Sequence, residues 1–132
     1  MARILLVEDD EAVREILRKA LVSAGHAVEE ASNGDVALAA YRREAADVVI
    51  TDLVMPDKDG LETIMLLRRI DPAVKIIAMS GGGRTLGSGQ LYLETARSIG
   101  ALQILAKPFT GSALLHAVTE VLALPGASEP ST

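Results

Sequence analysis

Val48-Val49-Ile50-Thr51-Asp52 is the stretch that most constrains the fold. Its β-branched run suits a helix poorly, because branching at Cβ restricts side-chain rotamers against the preceding turn. It is also too short for a buried helix, and an uninterrupted apolar run fits a strand covered on both faces. Such a strand belongs in the middle of a parallel sheet. Asp52 then sits at its carboxyl end, the edge where open parallel sheets bind ligands. A carboxylate there can hold a metal, act as a nucleophile, or cap the following helix.

The rest of the chain repeats the same unit. Ile4–Val7 is a second buried-strand run, followed at once by Glu8-Asp9-Asp10. Asp10 or Glu11 opens a helix with apolar positions Val13, Ile16, Leu17, Ala20, Leu21 and Ala24, and Gly25 is placed to stop it. Ala27–Ala31 is a more polar strand, with Glu29 and Glu30, and fits a sheet edge. Asn33-Gly34-Asp35 has turn and cap chemistry before a helix over Val36–Ala45. After Asp52, the loop Asp57-Lys58-Asp59-Gly60 leads to a helix carrying Leu61, Ile64, Leu66 and Leu67, which ends at Asp71-Pro72. Val74–Met79 is a fourth strand, Leu91–Ile99 a helix ended by Gly100, Leu102–Ala106 a fifth strand, and Thr110–Leu122 a last helix. Strand and helix alternate five times, which predicts an α/β domain: a five-stranded parallel sheet with helices on both faces. The domain is expected to span 1–123. The Pro/Ser/Gly/Ala-rich residues 124–132 read as a frayed tail too short for an output domain.

Composition narrows the function. At 132 residues the chain is one domain's worth and can bury a core without staples. It has no cysteine, which removes disulfides and thiolate metal sites. A net charge of −5 gives no basic footprint for DNA or an anionic membrane. Aromatic residues at 2% leave no stacking platform for single strands. No apolar run approaches the roughly 20 residues of a membrane span, and the start lacks the apolar core of a signal peptide, so a cytoplasmic location is expected.

In a parallel sheet every strand's carboxyl end lies at one edge. That edge gathers Glu8 and Asp9 after the first strand, Asp52 after the third, Ser80 after the fourth and Lys107 after the fifth. Singly these are caps or solvated charges; together they make a site. Clustered carboxylates repel one another and call for a counter-ion, and hard oxygen donors beside phosphate suit Mg²⁺. Phosphoryl transfer needs an in-line nucleophile and neutralisation of the equatorial oxygens. Asp52 can be that nucleophile, giving an aspartyl phosphate. Glu8, Asp9 and Asp52 can hold the ion, Lys107 can pair with a phosphoryl oxygen, and Ser80 with the Gly81 N–H can donate to another.

Leu5-Leu6-Val7-Glu8-Asp9-Asp10, Asp52-Leu53-Val54-Met55-Pro56 with Asp59-Gly60, Ser80-Gly81, and Lys107-Pro108-Phe109 together resemble the receiver domain of bacterial two-component response regulators. The resemblance covers residues 3 to about 123 and implies the flavodoxin-like (βα)5 three-layer sandwich. It implies that Asp52 is the phosphoacceptor, with Ser80 the switch hydroxyl and Lys107 the phosphate-binding lysine. Glu8, Asp9, Asp52 and the backbone carbonyl of Val54 would be the Mg²⁺ ligands, and the Lys107-Pro108 bond would be cis. A sensor histidine kinase or histidine phosphotransfer protein would be the donor. A downstream protein would read the face formed by helix four, strand five and helix five, and a phosphorylation-dependent homodimer is compatible with the pattern. The expected role is a single-domain switch in phosphorelay signal transduction, not a turnover enzyme, with no direct DNA contact. A phosphate-ester hydrolase would want a second carboxylate two residues after Asp52, where Val54 stands.

The chain departs from the family pattern in two places. Ile104 stands where the family usually has an aromatic switch residue, which allows either an ordinary buried strand residue or an altered output, including a phosphorylation-independent interaction module. The glycine-rich stretch Gly81–Gly89 is longer than usual, yet lacks the Gly-Lys-Ser/Thr end of a phosphate-binding loop. His26 and His116 are expected at the surface.

Overall fold

A computed structural model describes residues 2–53, 60–80 and 94–124. The strands are β1 (Arg3–Val7), β2 (Ala27–Ala31), β3 (Val48–Asp52), β4 (Ile76–Ser80) and β5 (Gln103–Ala106). The helices are α1 (Glu11–Ser23), α2 (Gly34–Arg43), α3 (Gly60–Ile70) and α5 (Gly111–Leu122), with α4 helical over 94–98. All strand pairs are parallel, in the order β2-β1-β3-β4-β5. The polar β2 is an edge strand, as its glutamates suggest.

Period-two alternation divides each central strand between two cores. Ile4, Leu6, Val48, Ile50, Ile77 and Met79 pack against Leu17 and Leu21 of α1 and Leu114, Val118 and Val121 of α5. Leu5, Val7, Val49, Ile76 and Ala78 face the other way, onto Leu38 and Tyr41 of α2, Ile64 and Leu67 of α3, and Ala96. The result is the three-layer arrangement expected, and it explains the unbroken apolar runs of β3 and β4, whose residues are all buried.

Local signals place the helix ends. Asp10 Oδ1, Asn33 Oδ1 and Thr110 Oγ1 accept the N–H groups of Val13, Val36 and Ala113 at 3.1, 2.9 and 3.0 Å, capping α1, α2 and α5. Gly25 and Gly100 follow α1 and α4 at φ +94 and +126, a region that costs other residues a Cβ clash.

Several expectations need correction. Ile16 points outward, 67% exposed, so the α1 stripe is narrower than the periodicity suggests and rests on Leu17 and Leu21. β4 begins at Ile76, because Val74 N–H closes a turn onto the Asp71 carbonyl. His26 is half-buried, and its Nδ1 accepts the Ala2 N–H at 3.1 Å. His116 is exposed as expected, beside Glu120.

Tyr41 crosses from α2 to the end of α3, donating its hydroxyl to Asp71 Oδ2 at 2.7 Å. Burial, the hydrogen bond to Asp71 and the nearby carboxylate charges push its phenol well above the usual range. Tyr41→Phe is expected to cost about 1 kcal/mol, the net worth of one such bond, read as a lower urea midpoint with unchanged m-value.

Candidate functional site

The strand order reverses direction between β1 and β3, which opens a crevice at their carboxyl ends. Val7 pairs with Thr51, and Asp52 with Met79, so the residues that follow β1 and those that end β3 and β4 come out side by side. Glu8 continues β1 through its N–H to the Ala31 carbonyl at 3.0 Å. The Lys107 N–H donates to the Ser80 carbonyl at 2.7 Å, which brings the end of β5 to the same edge. The Lys107-Pro108 peptide is cis, as the resemblance implied.

One carboxylate oxygen from each of Glu8, Asp9 and Asp52 lies within 4.8 Å of the others. Lys107 Nζ reaches into the group, 2.7 Å from Glu8 Oε1 and 3.2 Å from Asp52 Oδ2. Glu8 and Asp52 are 1% and 5% exposed, whereas Asp9 faces solvent. Glu8 Oε2 also accepts the Asp10 N–H at 3.2 Å. Burial pushes the Glu8 carboxyl above its ordinary range and the Asp52 charge adds to this, while the Lys107 hydrogen bond opposes both. Burial would lower the Lys107 ammonium, but the hydrogen bond to Glu8 and the charge of Asp52 outweigh it and raise it. Ser80 is wholly buried, and its Oγ has no hydrogen-bond partner among the described residues. A buried hydroxyl left so costs about 1–3 kcal/mol.

Glu8, Asp9, Asp52, Ser80 and Lys107 are therefore brought to one edge. Val54 and the Gly81 N–H lie outside the described residues, as do Asp57, Asp59, the Gly81–Gly89 stretch and 125–132. Ile104 sits opposite Ala78 in β5 and packs on the core beneath α2 and α3, as an ordinary strand residue does. Two further features shape the site, the first of them at the Asp59-Gly60 pair that carries the family resemblance. Gly60 begins α3 with its N–H on the Leu53 carbonyl at 2.8 Å, and a Cβ there would lie 2.3 Å from the Asp52 carbonyl oxygen. Arg14, on α1, donates to the Glu8 carbonyl at 2.9 Å.

Three converging carboxylates with a half-buried lysine beside them form a hard-oxygen donor set with a counter-charge. That set fits Mg²⁺, which takes one or two carboxylates, keeps waters, and shares phosphate oxygens. Among the described residues no helix is long and apolar enough to cross a membrane.

Residues 4–119 match the response regulator receiver domain. The chain is 34% identical over 92% of its length to the DNA-binding transcriptional regulator NtrC of Azospirillum brasilense, of which it spans 24%. It is 32% identical over 90% of its length to the chemotaxis protein CheY of Thermotoga maritima, covering 96% of that protein. A response regulator receiver domain protein from Clostridium thermocellum superposes with a TM-score of 0.84 at 27% identity, over 92% of this chain and 94% of that one. Receiver domains generally bind Mg²⁺ in an acidic pocket and exchange phosphoryl groups with histidine kinases or phosphotransfer proteins, and here the acidic cluster lies within the matched span. With motif residues, sheet order and matched span in agreement, the chain belongs to the response regulator receiver domain family.

Proposed function

We propose that Asp52 accepts a phosphoryl group from a phosphohistidine of a sensor histidine kinase or a histidine phosphotransfer protein. One Asp52 carboxylate oxygen attacks phosphorus in line, the P–N bond breaks, and the imidazole leaves with the electron pair. The reading is carried by the convergence of Glu8, Asp9 and Asp52 with Lys107 3.2 Å from Asp52. Glu8, Asp9, Asp52 and the Val54 carbonyl would hold Mg²⁺. Bound there, the ion supplies neutralisation of phosphoryl oxygen charge. Lys107 can turn from Asp52 to a phosphoryl oxygen. The Ser80 hydroxyl, wholly buried and without a partner among the described residues, is available to donate to another.

The functional unit is residues 1–123, acting in the cytoplasm as a switch whose only chemistry is its own phosphorylation and dephosphorylation. Output through a protein bound at α4, β5 and α5, or through a phosphorylation-dependent homodimer, goes with this reading. Ile104, in place of the usual aromatic, favours one competing reading: an interaction module that works without phosphorylation.

Intact mass after incubation with acetyl phosphate and Mg²⁺ separates the two. One added phosphoryl group is expected, absent in Asp52→Asn and in EDTA. No adduct under rapid quenching would favour the phosphorylation-independent module.

A further inference from the structure

Asp9 is exposed, and its carboxylate receives no hydrogen bond from any described residue. Its place in the cluster is therefore set through the main chain, by the peptide that joins it to Glu8. The N–H side of Glu8 is fixed by the sheet, on the Ala31 carbonyl at 3.0 Å. The carbonyl side is fixed by Arg14, whose Nη1 donates to it at 2.9 Å. Arg14 is in turn anchored, because its Nε donates to Glu30 Oε1 of β2 at 3.0 Å and its side chain is only 18% exposed. A planar guanidinium can make both bonds at once from one rigid group.

We infer that Arg14 is a positioning residue for the acidic site: clamped by Glu30, it fixes the Glu8–Asp9 peptide and so aims Asp9 at the point shared with Glu8 and Asp52. The inference rests on reading those three carboxylates as the ion-binding set. Residues behind a metal's direct ligands commonly govern affinity by orienting them, and Arg14 is such a residue acting through main chain. Neither spacing nor a family motif singles it out, because on the helix it reads as one more surface cation.

The test is an NMR titration of the unphosphorylated protein with Mg²⁺, following the Glu8 and Asp9 amides, beside thermal unfolding in EDTA. Arg14→Ala is expected to weaken Mg²⁺ binding about tenfold, at the low end for outer-shell partners. Arg14→Lys should recover only part of this, since an ammonium lacks the fork. A purely structural role would lower the unfolding midpoint and leave the affinity unmoved. Affinity of Arg14→Ala within about twofold of the unaltered protein overturns the inference. Full rescue by lysine also overturns it, assigning the effect to charge alone. Should Arg14→Ala not fold, Glu30→Ala carries the test: it keeps the guanidinium and removes the carboxylate that anchors it. A weakening of about threefold is then expected, in line with a partly exposed ion pair, and no change overturns the inference. If the unaltered protein binds no Mg²⁺, the underlying reading falls and this one with it; if it binds and the variants match it, only the positioning role fails.

Discussion

Gly60→Ala will lower the unfolding midpoint by on the order of 10 °C and remove most phosphoryl uptake from acetyl phosphate. The added methyl would lie 2.3 Å from the Asp52 carbonyl oxygen and 2.5 Å from the Leu53 Cα. Both are backbone atoms at the end of a buried strand and cannot rotate away. Relief requires α3 to lift from β3, which loosens Ile64 and Leu67, both 0% exposed, from the core. Overpacking of this kind costs about 1–3 kcal/mol, and contact with backbone places it at the upper end. Alanine's better helix propensity returns at most about 1 kcal/mol. The same displacement moves Asp52 relative to Glu8 and Lys107, so the site fails together with the packing. Gly111→Ala is the control, because nothing lies within 4 Å of the added methyl and α5 begins there; it should be neutral or slightly stabilising. Equal midpoints for Gly60→Ala and the unaltered protein would refute the argument.

That close approach was not legible in the sequence, and the reason applies to the whole site. Gly60 reads as the end of a loop, since a glycine's spacing says nothing about what would meet its missing side chain. Arg14 reads as a solvated charge for the same reason: its partner is a main-chain carbonyl, which carries no residue identity. What periodicity and turn chemistry do report is legible. The apolar run ending in Asp52, the caps Asp10 and Asn33, and the stops at Gly25 and Gly100 fall where expected, while Thr110, expected as the first residue of the last helix, is its cap. Ile16 shows the limit of periodicity, because an apolar residue on the margin of a helical stripe can face water at modest cost. The convergence of Glu8, Asp9, Asp52 and Lys107 is legible because parallel topology alone sends every strand's carboxyl end to one edge. Their mutual distances are not, because they depend on the register between β1 and β3 and on how far the lysine reaches.

Lys107→Met should destabilise the protein by about 2–3 kcal/mol at neutral pH in EDTA, with a deficit that shrinks on acidification. In the intact site the ammonium lies between Glu8 and Asp52, which are 1% and 5% exposed. Removing it leaves two nearly buried carboxylates facing each other with less compensation. Breaking a buried pair costs about 3–5 kcal/mol; the expected loss is smaller because the Lys107 side chain keeps some solvent contact and Glu8 can take up a proton. Burial already raises Glu8 above its ordinary 4.5, and loss of the lysine removes the hydrogen bond that opposes this. A carboxyl whose folded pKa exceeds its unfolded one binds protons more readily when folded. Stability relative to the intact protein is therefore regained as pH falls through the raised folded value toward 4.5. Urea midpoints of both proteins across that window read the difference directly, because groups remote from Lys107 contribute equally in each and cancel. Mg²⁺ at saturating concentration should close the gap at neutral pH by the same logic, since a divalent ion held by the carboxylates replaces the lost charge. A gap that widens on acidification, or one indifferent to Mg²⁺, would mean that Lys107 stabilises the fold through packing of its stem and not through the carboxylates it bridges.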